Sequence, residues 1–248
     1  MTDHTFHDQD LSGASFRRVS LRGARMHAVD LSGLKITDGW LDGVDISGVL
    51  RDVRLNGVDV GPLVEAELNR RHPDRAKMRP ADADGFRQAW AILERLWAGT
   101  VQRARQLDAE LVHERVDGEW SFVETLRHLN FATDAWVRRA VQGDPSPWHP
   151  WDLPHDEIEL TGGVPRDRSA RPSLEEILAV RADRVAGVRE VFAGLTDEQL
   201  ASETVPVTEP GYPESRSFAV RRCLGAVVWE EWEHRLYAER DLDVLMGR

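Results

Sequence analysis

The chain has 248 residues, with 43 acids against 32 bases for a formal net charge of -11, and is 41% hydrophobic and 30% charged. This composition supports a buried core and argues against disorder; no apolar run approaches the roughly 18 residues that cross a bilayer, and the acidic balance disfavours a phosphate-backbone partner. One cysteine, Cys223, excludes an internal disulfide and a cysteine-based zinc cluster, and the opening MTDHTFHDQD lacks a basic stretch followed by an apolar one, so a cytoplasmic protein is expected.

In chain order, the first pattern is a repeat. From Leu11 every fifth residue is large and apolar: Leu11, Phe16, Leu21, Met26, Leu31, Ile36, Leu41 and Ile46. Smaller apolar residues precede or fall between them, among them Ala14, Val19, Ala24, Val29, Leu34 and Val44. Period five fits neither a helix nor a flat strand. The stretch of about residues 9–61 resembles the pentapeptide-repeat family, whose motif is A(D/N)LXX, with VDLSG (29–33) and VDISG (44–48) as the best copies. The resemblance implies a short right-handed quadrilateral β-helix of two to three coils, serving as a cap or docking module. Arg17, Arg18, Arg22, Arg25, Arg51 and Arg54 make it a poor mimic of an acidic duplex.

After Val60 the pattern turns helical. Pro62 suits the first turn of a short helix, LVEAELNRR, which stops before Pro73. A helix over about residues 84–107 follows, with Phe86, Trp90, Leu93, Trp97 and Val101 on one face. The next, about 122–142, opens on Ser121 with Glu124 three residues later, a capping box. A loop over 143–171 holds prolines 145, 147, 150, 154 and 165, and a third helix runs from Ser173 to near Gly194. A second long loop, 202–217, leads to a final helix over about 218–242. Four such helices read as a four-helix bundle, and loops this long suggest functional segments over one end of it. The expected fold class is therefore α+β in two modules, a quadrilateral β-helix followed by an all-α bundle. The expected organisation is a coil over 1–62, a connecting helix and linker over 63–81, and the bundle over 82–248.

Of nine histidines, His128 and His234 fall in the middle of strong helices. Glu230 lies four residues before His234, so the two side chains leave one face of a helix a turn apart, as two ligands of one metal require. Adding His128 from a neighbouring helix gives a His/Glu/His set that leaves a position open for water or substrate. Glu231 and Glu233 are rivals, but spacing favours Glu230. On the residues alone, an exposed charge pair and a core histidine stand as the alternative.

Residues 82–248 resemble the DinB-like superfamily of metal-binding four-helix bundles. The resemblance is carried by EWSFVETLRHLNFATDAW (119–136), PSPWHPWDLP (145–154) and EEWEHRLYAERDL (230–242). It implies a histidine ligand on the second helix and two ligands four residues apart on the fourth, hence His128, Glu230 and His234. The commonest members have histidine where this chain has Glu230; the His, Glu, His set resembles that of the mycothiol-dependent maleylpyruvate isomerase branch. The implied cofactor is a divalent metal, zinc first, with nickel, iron or manganese as alternatives. The implied function is a metal-dependent enzyme that uses a mycothiol-like low-molecular-weight thiol in S-transfer to, or isomerisation of, a small electrophile. Only Lys35 and Lys77 are lysines, and this arginine bias reads as the codon usage of a GC-rich genome, in keeping with that thiol. The expected partners are the electrophile and the thiol, with no nucleic acid and no membrane, in a monomer or homodimer. The alternative is a non-catalytic metal-binding or protein-interaction module that docks through the coil.

Other polar residues are assigned more loosely. Glu124, Asp134 and Arg235 are candidates to brace the ligands from behind, Glu124 as an acceptor that fixes the His128 tautomer. Trp148, His149 and Trp151 are candidates to line a substrate pocket. No catalytic residue is assigned, and Cys223 reads as a small buried residue.

Overall fold

The structure, a computed structural model, describes residues 5–155 and 162–247 and divides into two units between Val49 and Leu50. In the first unit the repeat is expressed as turns. LSGA (11–14), LRGA (21–24) and LSGL (31–34) each close with a 3.0 Å bond from the fourth residue's N–H to the first residue's carbonyl. The third residue has φ of +76° at Gly13, +74° at Gly23 and +75° at Gly33, a region glycine enters without strain. Asp10 and Asp30 brace the turns by accepting the backbone N–H of Ser12 and Ser32 at 2.8 Å.

The right-handed quadrilateral β-helix expected from the pentapeptide-repeat resemblance is not formed. The eight large apolar side chains that a closed coil would enclose, from Leu11 to Ile46, are 45% to 65% exposed. Among the described residues of this unit there is no strand and no backbone hydrogen bond from one coil to the next. The physical reason is that a coil buries its apolar row only against a neighbouring coil, and a stretch of two to three coils consists mostly of ends. The turns satisfy their own hydrogen bonds locally without such a neighbour. The α+β class is corrected with it: the strands described are β1 (Arg54–Leu55) and β2 (Val58–Asp59), an open antiparallel pair with Arg54 opposite Asp59. Asn56 and Gly57 turn between them, both with positive φ, as a two-residue hairpin requires.

The second unit is helical. Helix α1 (Gly61–Arg71) starts on Pro62 and is followed by a 3₁₀ turn (Arg75–Met78). The bundle comprises α2 (Ala83–Ala104), α3 (Phe122–Thr133), α4 (Leu174–Gly194) and, after the short α5 (Asp197–Leu200), α6 (Val220–Met246). Helix α3 opens with the Ser121–Glu124 capping box and passes at Asp134 into a π-helical segment (Asp134–Val141), where the sequence had predicted one regular helix. Helix α2 lies against α4 and α6, and α3 lies against the same two, which encloses one apolar core. Phe86, Trp90, Leu93 and Trp97 supply it from α2, Leu126 and Leu129 from α3, Ile177 and Phe192 from α4, and Val228 and Trp232 from α6. Among the described residues no helix is long and apolar enough to cross a membrane.

Two buried arginines hold the long loops to the bundle. Arg127 donates to the carbonyls of Trp151 (2.7 Å), Ala170 (3.0 Å) and Asp167, tying down the 143–171 loop, of which residues 156–161 lie outside the described residues. Arg139 donates to Pro145 (2.8 Å) and Glu209, reaching the 202–217 loop. Its guanidinium lies where a Cβ on Gly211 would come within 2.8 Å, so a side chain at that position would displace the arginine from its carbonyls.

Candidate metal centre

Every residue of α3 except Glu124 is buried, because this helix packs against α4, α6 and the first long loop. His128 is therefore 5% exposed, in the middle of the helix and facing α6. Glu230 and His234 leave α6 one turn apart and are half-buried. Glu230 Oε2 lies 3.0 Å from His234 Nε2 and 3.4 Å from His128 Nε2. One ligand atom from each of the three residues lies within 4.8 Å of the others.

The chemistry of these donors fits a divalent cation. His128 Nδ1 lies 3.0 Å from the Leu153 carbonyl, which can only accept, so Nδ1 carries the proton. In the neutral ring Nε2 then presents a lone pair to a carboxylate oxygen 3.4 Å away. Two acceptors facing each other in a buried place call for a positive charge between them, a proton or a metal. Burial holds the His128 imidazole below its ordinary pKa, which favours the neutral, ligating form. Burial pushes the Glu230 carboxyl up, but the two imidazoles beside it outweigh that and leave the group well below the usual carboxylate range. Neutral imidazoles and an ionised carboxylate are the states a metal needs.

Aromatic rings surround the cluster. Trp120 packs 4.5 Å from His128 and stacks on His234 at 5.7 Å, with the ring planes 18° apart. Phe131 packs on His128 at 6.2 Å, and Tyr237 meets His234 edge-on at 5.9 Å. Tyr212, from the second long loop, stacks on Phe131 at 5.7 Å. Sequence reasoning gave no role to Trp120, Tyr212, Tyr237 or the Leu153 carbonyl. Trp120 sits directly before the Ser121 cap, the one local sign that it is held near α3.

The other sequence candidates make contacts of their own. Glu124 accepts from the Ser121 N–H and from Arg115, both at 2.9 Å, and the tautomer role expected of it is filled by Leu153. Asp134 is fully buried and bonded to Arg184 at 2.7 Å. Arg235 reaches Thr100 and Glu239 at 3.3 Å, in a network with α2. Trp148 stacks on Phe131 at 5.6 Å, one ring removed from His128. His149 accepts the Trp151 N–H at 3.1 Å, and Trp151 packs on the main core. Of the rival acids, Glu231 is spent on a buried 2.5 Å ion pair with Arg181. Cys223 is buried, which pushes its thiol up to about 11 and makes it a poor nucleophile.

Comparison with known proteins gives two family matches. Residues 92–238 match the model of the DinB superfamily. Residues 5–48 match that of pentapeptide repeats, in eight copies, so the sequence period is present where the closed coil is not. No curated protein and no solved structure matches the chain.

Proposed function

We propose, since the chain belongs to the DinB superfamily, that it is a metal-dependent enzyme that brings a low-molecular-weight thiol to a small electrophile, in S-transfer or isomerisation. The observation that carries the reading is the convergence of His128, Glu230 and His234, three N/O donors from two helices, around one point. These residues would hold the ion, zinc foremost. A divalent ion bound there lowers the pKa of a thiol or water and keeps it deprotonated at neutral pH.

The chain's own groups do the rest. Leu153 fixes the His128 tautomer and ring orientation, and the Glu230 carboxylate offsets part of the ion's charge. Trp120 and Phe131 keep water from the faces of the imidazoles they cover. Three protein ligands leave room for an exchangeable one, the arrangement of catalytic sites rather than closed structural sites. The His, Glu, His donor set of the thiol-using branch that the sequence resembles supports a thiol as that ligand.

The test is a cobalt(II)-substituted full-length protein titrated with thiols. A sulfur-to-metal charge-transfer band should appear and strengthen as pH rises toward the thiol's own pKa, because the thiolate is the ligand. The same titration of H128A should give no band. An unchanged cobalt spectrum with mycothiol and simpler thiols alike would overturn the thiol reading.

A further inference from the structure

Behind His128 lies a pair of acids that the metal cluster does not use. Asp134, at the start of the π-helical segment, and Asp152, in the first long loop, are both 0% exposed. Each carboxyl group acts directly on the other. Asp134 Oδ2 also accepts from Arg184 at 2.7 Å, and Asp152 Oδ2 accepts the His149 N–H at 2.9 Å. On each residue Oδ1 is buried with no hydrogen-bond partner. Two ionised carboxylates have no hydrogen to share, and two like charges in contact in a dry interior are strongly disfavoured.

We propose that Asp134 and Asp152 share one proton, and that the resulting carboxyl–carboxylate bond is a positioning device that latches the 149–153 turn to α3 and so holds the Leu153 carbonyl on His128. The connections are short. The turn closes on itself through the Asp152 N–H to the His149 carbonyl (2.9 Å), and the next residue, Leu153, accepts from His128 Nδ1 at 3.0 Å. The Leu153 N–H donates in return to the Arg127 carbonyl at 3.3 Å. The proton belongs on Asp152. Asp134 is ion-paired with two guanidiniums, Arg184 from α4 and Arg138 from its own segment at 3.4 Å, whereas Asp152 accepts only the His149 amide, with Arg184 and Arg127 acting on it without an ion pair. Burial, then the charge of Asp134, pushes Asp152 up to about 8.

The other titratable and charged groups facing the pair are Arg138 and Arg184, Arg127 on α3, Asp183 on α4, which pairs with Arg138 and Arg184, and His149 on the loop. Arginine contacts hold Asp183 below its ordinary value, and burial does the same to His149, so neither titrates upward through the neutral range. Asp152 binds its proton in the folded chain up to about pH 8 but releases it near 4 when unfolded. The folded state therefore carries one extra proton between those limits. Its stabilisation is full below the lower limit and is lost as pH rises toward the upper one.

The experiment uses the full chain with the D152N and D152A variants. Asparagine still donates to Asp134 but cannot ionise; alanine leaves Asp134 unlatched. Between pH 5 and 8 the unfolding constant of the wild type should rise relative to that of D152N by up to about tenfold per pH unit, the slope of one proton. Parallel pH profiles for the two proteins would overturn the shared proton. The positioning role rests on the reading of His128 as a ligand and has its own measurement, cobalt(II) affinity. D152A should bind roughly 10- to 100-fold more weakly, as when the hydrogen-bonding support of a ligand is lost, and D152N should recover most of that. Wild-type affinity in D152A would overturn the positioning role. If the wild type itself binds no cobalt(II), the ligand reading and the positioning role fall together, and the stability profile still decides the proton.

Discussion

Adjacent acids on α6 show how one residue step changes a side chain's task. Glu230 faces His128 on α3, while Glu231 points into the bundle, 1% exposed, and pairs with Arg181, whose guanidinium also lies over Trp97. Breaking such a pair leaves an uncompensated buried charge, so E231A should lose about 3–5 kcal/mol of stability. E230A removes a half-buried carboxylate and leaves no buried guanidinium unpaired, and should lose far less. Urea denaturation of the metal-free proteins checks the contrast; equal losses would mean that Glu231 is not the structural member. The i,i+4 spacing made Glu230 and His234 legible in the sequence, because helix geometry alone puts them on one face. The Leu153 carbonyl was not legible, since every residue carries one and only the folded loop decides which reaches His128. Glu124 keeps the capping role that its place three residues after Ser121 predicts, and nothing local says that a loop carbonyl takes the imidazole.

At the scale of elements, the apolar period marked the bundle helices to within a few residues, since each buries one stripe in a common core. The π-helical segment after Asp134 left no sign in that period; it is visible in the folded chain, where Asp134, Arg138 and Arg139 of this segment all make buried or half-buried polar contacts. Length and proline content marked the two long loops, but not how they are held. Arg127 and Arg139 fill that role, each donating to backbone carbonyls rather than to a carboxylate, so the loop residues they hold are not identified by type. Replacing Arg127 with methionine keeps much of the bulk but removes the donors. R127M should be cleaved by a protease within 143–171 at least several-fold faster than the wild type, with cleavage in 202–217 unchanged. Unchanged cleavage in the first loop would show that other contacts suffice to hold it.

Across the whole chain, the two patterns in the sequence had different outcomes. A helical period implies burial because each helix meets neighbours long enough to cover its stripe. A period of five fixes which side chains share a side but not whether another coil covers them, and here the apolar row from Leu11 to Ile46 stays in solvent. The candidate metal centre lies in the second unit, where three residues from two helices converge and a loop carbonyl fixes one of them. The central claim is that these three residues hold a divalent ion, and the most direct measurement is the metal content per chain of full-length protein, loaded with zinc and then freed of excess ion. The wild type and E230H should each retain one ion per chain, since histidine supplies an equivalent donor at that position, whereas H128A and H234A should retain none. Full occupancy in H234A, or an empty wild type, would contradict the account.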